Sequence, residues 1–347
     1  MKDAILVVNA GSASLKYALY AENLVCLLRH HVETRDPSGA LREVLARVRR
    51  EYRITGAGHR VVYGGDRYAA PMQVNAKTLT ELDELGQLAP LHQLANTAGL
   101  RVVAALAPGL PQVACFDTAF HQRQPKLARG SGLRPGLRQS GVEHCGLHGL
   151  SYEYVATRLP QAIGRHACGR VIVAHLGNGA SLCALRDGRS VATSIGFTAL
   201  QGLMMDTRCS TPDPDALVYL MDKKRMSGRD LERLLDRESG LLGLSGLSND
   251  MRTLLASVDP RAKLAVELFV HRTVREIGSL ATVLQGLDAL VFTGGIGENA
   301  TAVRTAISAA VRWLGTFQVS MVATNEEEMI ARHTFAVLTK SRCAMTA

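Results

Sequence analysis

Two stretches of this 347-residue chain repeat one another: Ile5 to Tyr20 reads ILVVNAGSASLKYALY and Val171 to Arg186 reads VIVAHLGNGASLCALR. The copies align with one extra residue in the second. Duplication restricts the fold, because both halves must then be built on the same local plan. Each copy is a four-residue apolar run, a turn rich in Gly, Ser and Asn, and a second apolar segment, the pattern of a strand, a tight turn and a returning strand. Glycines in such a turn let backbone N–H groups approach an anion, and small hydroxyl side chains add donors without bulk. Two loops of this kind, one per half, predict a polyphosphate held between two similar lobes.

A third glycine-rich segment extends the pattern. Leu290-Val291-Phe292-Thr293 reads as a buried strand that runs into Gly294-Gly295-Ile296-Gly297-Glu298-Asn299. Ala302, Val303, Ala306, Ile307, Ala310, Val311 and Leu314 then recur at helical spacing, so the spacing predicts a glycine turn between a strand end and a helix N-terminus.

Length favours two domains, since single cores rarely grow beyond roughly 250 to 300 residues. The apolar share of 47% is that of a globular chain and excludes a disordered or fibrous one. No apolar run approaches the roughly 18 residues of a membrane helix, and Met1-Lys2-Asp3 leads straight into the first strand rather than into a signal, which predicts a cytoplasmic protein with no membrane partner. The 7 cysteines (Cys26, Cys115, Cys145, Cys168, Cys183, Cys209, Cys343) are odd in number and lack CxxC pairs, so reduced, mostly buried thiols are expected. A formal charge of +9 raises nucleic acid as a partner. The basic residues form no compact stripe with stacking aromatics, which argues against it. Anionic small molecules account for the basic balance more simply.

Between these landmarks strands and helices alternate, an α/β pattern. Leu41, Val44, Leu45 and Val48 mark an amphipathic helix, Arg60 to Val62 a strand ended by Gly64-Gly65, Leu79, Leu82 and Leu85 a short helix, Gly99 to Ala107 another, and Val113 to Phe116 a buried strand stopping at Asp117. Gln122 to Cys145 reads as an exposed irregular connection. Asp259-Pro260 caps a long helix carrying Leu264, Leu268, Ile277, Ala281 and Leu284. A last helix begins near Asn325-Glu326-Glu327-Glu328, where acids suit an N-terminus.

Taken in order, Asn9-Ala10-Gly11-Ser12, Arg60-Val61-Val62, Phe116-Asp117-Thr118-Ala119-Phe120-His121, His148-Gly149, His175-Leu176-Gly177-Asn178-Gly179, Thr207-Arg208, Gly294 to Asn299 and Asn325-Glu326-Glu327 resemble the acetate kinase family over almost the whole chain. The resemblance implies the duplicated RNase H-like fold of the actin-like ATPase superfamily, two lobes with a nucleotide cleft between them. Residues 1–120 with 328–347 would form the N-terminal lobe. Residues 121–327 would form a C-terminal lobe for nucleotide binding and homodimer contact. The reaction implied is reversible phosphoryl transfer from ATP to a short-chain carboxylate (acetate, propionate or butyrate), giving ADP and an acyl phosphate, with Mg²⁺, or Mn²⁺ in its place.

Such a transfer brings two anions together while charge spreads over the moving oxygens, so positioned cations and donors supply most of the catalysis. By resemblance Arg60 and Arg208 are the clamps, a role suited to planar guanidinium groups. His148 is the transition-state histidine, and Asp117 supports metal and arginine placement, with capping of the next turn as its plainer role. Arg60, Val62, Leu91, His92, Leu147 and Ala199 would bind the acid. Ser12, Ser14 and Lys16, His175, Leu176, Gly177, Asn178 and Gly179, Asp250, Met251 and Arg252, and Gly295, Ile296, Gly297, Glu298 and Asn299 would bind nucleotide. Asn9 and Glu326 would hold the metal, a sparse set that suits Mg²⁺, with Glu327 or Glu328 as alternatives to Glu326.

Several positions depart from the family pattern. The chain is short, mainly where Trp313-Leu314-Gly315 passes quickly to Thr324-Asn325-Glu326. Tyr63 and Tyr152 stand where histidines are usual, and Asp206 and Ser210 where glycines are usual. Asp206 could pair with Arg208 or repel incoming anions, and its Cβ could strain a glycine turn. These departures keep open a nucleotide-binding paralogue with weak or no transfer activity and a structural or regulatory role. The acid pocket has smaller walls at Leu147 and Ala199, which predicts acceptance of acids longer than acetate.

Overall fold

A computed structural model describes residues 1–11, 14–86, 90–134, 136 and 143–346, without the side chains of 90–92, 342 and 344–346. The chain divides into two units. The first comprises Met1–Gln122, Leu147–Tyr154 and Asn325–Ala347, and the second Arg123–Gly146 and Val155–Thr324.

The first unit is built on β1 (Lys2–Ala10), β2 (Ser14–Tyr20), β3 (Cys26–Glu33), β4 (Tyr52–Val61), β5 (Met72–Gln73) and β6 (Gln112–Phe116), in the order β3-β2-β1-β4-β6-β5. The first three strands form an antiparallel meander, and β4 and β6 then add in parallel. The second unit has β7 (Arg170–Leu176), β8 (Ala180–Arg186), β9 (Arg189–Thr193), β10 (Ala289–Thr293) and β11 (Gln318–Met321), ordered β9-β8-β7-β10-β11. Again three strands meander and two add in parallel. The repeat in the sequence is thus a repeat of topology, and the fold is a duplicated RNase H-like one. The turn lengths reverse the alignment by letters. Four residues separate the pair Ala10 and Leu15, but three separate Leu176 and Ala180, so the first copy carries the extra residue.

β1 reads as a continuous apolar run because both of its faces are covered. Leu6 and Val8 pack with Leu41, Val44, Leu45 and Val48 of the Pro37–Glu51 helix, and Ile5 and Val7 pack with Ile330 and Leu338 of the Glu326–Thr346 helix. Alternation along the strand then carries Asn9 to the second of these faces. The helix starts follow local chemistry. Asp36 accepts from the Gly39 N–H and Asp259 from the Arg261 N–H, each just before a proline at the first helical position.

Some expectations change. The helix ending near Ala107 begins at Pro90. Leu264 is exposed on the Pro260–Leu284 helix, which instead buries Ala262, Ala265, Phe269 and Thr273 ahead of Ile277, Ala281 and Leu284. The glycine segment after β10 is itself a helix, Gly294–Asn299, followed by a second over Thr301–Ala310, because Gly294 at φ +79° lets the chain turn helical directly from the strand. The region from Gln122 is not uniformly exposed: Gln124, Glu143 and Cys145 are buried, and Lys126–Arg129 is helical. Of the cysteines, Cys115, Cys145 and Cys183 are buried, Cys209 is half-buried, and Cys26, Cys168 and Cys343 are exposed, so burial is not the rule. Among the described residues no disulfide joins them, and no helix is long and apolar enough to cross a membrane.

Candidate active site

In the first unit Arg60 sits at the end of β4, next to the end of β6, where Asp117 begins a 3₁₀ turn over Asp117–His121. Nε and Nη2 of Arg60 both donate to Asp117 Oδ2, at 3.1 and 2.5 Å, and Nη1 donates to Asn9 Oδ1 at 3.4 Å. Asn9 in turn donates through Nδ2 to Glu326 Oε2 at 3.1 Å and Glu327 Oε1 at 3.4 Å. A string of polar groups therefore runs from Asp117 through Arg60 and Asn9 to Glu326. Burial works against the Arg60 charge, but Asp117 and Glu326 more than offset it and hold the guanidinium pKa above its usual value. Burial drives the Asp117 carboxyl upward against the pull of Arg60.

The backbone beyond Arg60 is fixed by three side chains from elsewhere. Val62 N–H donates to Asn96 Oδ1 (2.9 Å), Tyr63 N–H to Gln93 Oε1 (3.2 Å) and Gly64 N–H to Thr118 Oγ1 (3.0 Å). Asn96 also donates to the Ala10 carbonyl at 2.8 Å, tying the ends of β1 and β4 together. Asn96 and Gln93 belong to no local sequence pattern and act over a long separation, and Thr118 lies in the Phe116 to His121 segment without a role that the sequence gives it. Val62 is buried, and so is Tyr63. Leu147 is half-buried, and its carbonyl meets His121 Nε2 at 3.0 Å. His148 holds φ +58°, a left-handed backbone that a non-glycine residue adopts only under constraint. Gly149 follows because a Cβ there would lie 1.8 Å from the Asp117 carbonyl oxygen.

The acids at the N-terminus of the Glu326–Thr346 helix have different partners. Glu328 N–H donates to Asn325 Oδ1 and Asn325 Nδ2 to Glu328 Oε2, both at 3.1 Å, and Glu328 also accepts from Arg332. Glu328 is thus committed to the cap. Glu326 and Glu327 are the acids that face Asn9.

In the second unit the β7–β8 turn places Gly177, Asn178 and Gly179 beside the Gly294–Asn299 helix: a Cβ on Gly294 would lie 2.7 Å from the Leu176 carbonyl, and one on Gly177 3.7 Å from the Gly295 nitrogen. Glu298 accepts from the Gly294 N–H (2.9 Å) and the Thr324 N–H (3.0 Å), and Asn299 donates to the Gly295 carbonyl. His175 and Leu176 are buried, as is Ile172 below them. Ile296 and Gly297 complete the helical turn. Asp250 caps the Met251–Ala256 helix through the Arg252 N–H, Met251 is buried, and the Arg252 side chain is exposed.

Arg208 lies on an irregular loop and forms an ion pair through Nε with Asp236 Oδ1 at 3.4 Å. Asp236, which sequence reading missed, is pushed upward in pKa by burial against the pull of Arg208. Asp206 is not the partner expected of it: its Oδ1 accepts from the Thr207 N–H at 2.7 Å, and its own N–H donates to the Asn178 carbonyl. The glycine-like backbone is at Ser210, at φ +78°, whose Oγ donates to the Gly202 carbonyl. Ala199 is half-buried. Ser14 begins β2 and is half-buried, and Lys16 is exposed in register with Asn9. Ser12 and the side chains of Leu91 and His92 lie outside the described residues.

Among the described residues no group of three or more His, Cys, Asp or Glu could hold a metal ion. The donors beside Arg60 are nevertheless hard oxygens. Among the described residues Asp117 Oδ1 is buried with no close hydrogen-bond partner, and Glu326 and Glu327 lie near it along the polar string, a set that fits a cation needing one or two carboxylates and completing its shell with water and phosphate.

The Acetokinase family profile matches residues 27–342. The chain is 48% identical over 349 residues to an acetate kinase of Rhodopseudomonas palustris, covering 91% of this chain and 88% of that protein. It is 41% identical over 404 aligned residues to an acetate kinase of Methylocella silvestris, covering 99% and 100%. That alignment is longer than this chain, so the relative carries segments that this chain lacks. Among solved structures, a propionate kinase from Francisella tularensis superposes with a TM-score of 0.89 at 34% identity, covering 97% of this chain and 100% of the other.

Proposed function

The chain belongs to the acetokinase family and is a phosphotransferase that moves a phosphoryl group from ATP to a carboxyl acceptor, and we propose that its acceptors extend beyond acetate to propionate and butyrate. The observation that carries the assignment of roles is the Arg60 string: a guanidinium held by a buried carboxylate and an amide at a strand end, with its charge secured by Asp117 and Glu326. A cation so fixed needs no reorganisation when negative charge spreads over the transferred group. In this reading Arg60 orients the carboxylate, Arg208 neutralises the phosphoryl oxygens, and His148 donates to them. The β7–β8 turn and the Gly294–Asn299 helix receive the nucleotide. Asn9, Glu326 and the open oxygen of Asp117 would hold Mg²⁺, which when bound neutralises phosphate charge.

The proposed acyl range rests on the modest size of the residues expected to bind the acid, Val62, Leu91, Leu147 and Ala199, and on the likeness to a propionate kinase structure. Each buried methylene is worth about 0.8 kcal/mol, and a pocket discriminates by roughly 1 to 3 kcal/mol per methylene. A broadened preference is therefore expected rather than exclusion of acetate. Turnover with ATP, Mg²⁺ and a C2 to C6 series tests it: propionate or butyrate should match acetate in kcat/KM, and a strong preference for acetate would show that another side chain, such as Tyr63, fills the space. An ATP-dependent reaction points to the cytoplasm. A homodimer is part of the same reading, and the Pro214–Lys224 helix, which buries none of its residues and exposes Val218, Tyr219 and Met221, offers an apolar face for it. Light scattering of a Val218→Asp, Tyr219→Asp variant should then report a monomer.

A further inference from the structure

Arg208 has no strand to hold it, yet its loop is stitched on both sides to the end of the Gly228–Arg237 helix, the start of the Gly240–Ser245 helix and the link between them. Cys209 N–H donates to the Leu235 carbonyl (3.2 Å), Thr207 Oγ1 to the Asp236 carbonyl (2.6 Å), Ser239 N–H to the Thr207 carbonyl (3.0 Å) and Leu241 N–H to the Met205 carbonyl (3.0 Å). Gly240, at φ +64°, allows the approach: a Cβ there would lie 2.4 Å from the Met205 carbonyl and 2.7 Å from the Arg208 nitrogen. The backbone of Asp236 is therefore tied to that of the Arg208 loop by several hydrogen bonds.

The side chains complete the arrangement. Asp236 Oδ1 sits 3.4 Å from Arg208 Nε, with 10% of the Asp236 and 19% of the Arg208 side chain exposed. A guanidinium is a rigid plane, so a carboxylate on its Nε edge fixes the orientation of the whole group. On its Nη1 side lies Met205 Sδ at 3.5 Å. The carboxylate nearer in sequence, Asp206, is committed to the Thr207 N–H and is not available for this task.

We propose that Asp236 is a positioning residue for the transfer reaction, aligning the Arg208 guanidinium while touching neither substrate nor nucleotide; this rests on the clamp role given to Arg208 above. Three variants separate the two ideas when kcat and KM are measured together. Asp236→Ala should lower kcat about tenfold to a hundredfold, with KM for ATP changed less than about threefold. Asp236→Asn keeps an acceptor oxygen for Nε and should retain at least about a third of kcat. It also serves as the test should the alanine variant not fold. In the Arg208→Ala background, adding Asp236→Ala should change kcat less than about twofold, because the two act as one unit. Wild-type kcat in Asp236→Ala beside an inactive Arg208→Ala would overturn the positioning role, and so would a further additive loss in the double variant or an asparagine variant as impaired as the alanine one. An active Arg208→Ala would instead overturn the clamp role itself.

Discussion

The two arginines occupy opposite kinds of support. Arg60 stands at a strand end with a fully buried carboxylate at 2.5 Å, and three further side chains pin the backbone that follows it. Arg208 lies in a loop, meets its carboxylate at 3.4 Å, and is followed two residues later by a serine in a left-handed conformation. The first is held by the sheet, the second by hydrogen bonds from its loop to the ends of two helices. Departures from the family pattern lie near both, Tyr63 three residues beyond Arg60 and Asp206 and Ser210 on either side of Arg208.

If this contrast is right, the largest change in stability should come from Asp117. Asp117→Ala leaves Arg60 buried without its carboxylate, which costs about 3 to 5 kcal/mol, and denaturant melts should show a smaller loss for Asp236→Ala. Equal losses would erase the distinction. Acid should also act on the first unit, through His59 and His121. Burial lowers their pKa values to about 3 and about 4, against 6.5 for the free side chain. The unfolded chain thus takes up these protons near pH 6.5 while the folded one refuses them until far lower, so stability is highest above 6.5 and falls with pH by about 1.4 kcal/mol per pH unit for each histidine, down to about pH 4 for His121 and about pH 3 for His59. His59→Leu should flatten that slope, and an unchanged slope would place the acid sensitivity elsewhere.

Effects in the Arg208 loop should be smaller. Ser210→Ala removes the bond to the Gly202 carbonyl and keeps the strained φ, for a loss of about 1 kcal/mol. Ser210→Gly should recover most of it, since glycine takes that backbone without penalty. A glycine variant no more stable than alanine would mean the loop is unstrained. Least of all is expected from Asp206→Gly. Its carboxylate is bonded to Thr207 rather than Arg208, so turnover should stay within about twofold of wild type, and a large rise would show that Asp206 does restrain the arginine in solution.

Much of the fold was legible because it was written twice: apolar runs around glycine turns mark β1–β2 and β7–β8, and one turn-length error did not alter the topology. Arg60, Asp117, Asn9 and Glu326 could be picked out because they sit in short ordered motifs at strand and helix ends. The cap that commits Glu328 was also visible in principle, as an asparagine three residues before a glutamate. Asn96, Gln93 and Asp236 were not, and Thr118 was visible only as a motif member, since their roles exist only once distant segments meet. Glu298 shows a further limit: it lies in a segment the sequence assigns to nucleotide binding, yet its carboxylate is tied to the backbone at Gly294 and Thr324.

The central claim is that this chain makes acyl phosphate with two differently supported arginines. Hydroxamate trapping of the product from purified protein with ATP, Mg²⁺ and acetate or propionate tests it directly, run beside Arg60→Ala and Arg208→Ala variants of verified fold. Wild-type protein should yield acyl hydroxamate, and each variant should lose turnover by the factor that corresponds to about 2.7 to 4 kcal/mol of lost electrostatic stabilisation, on the order of a hundredfold to a thousandfold. No product from the wild type, or near-native turnover in both variants, would contradict it.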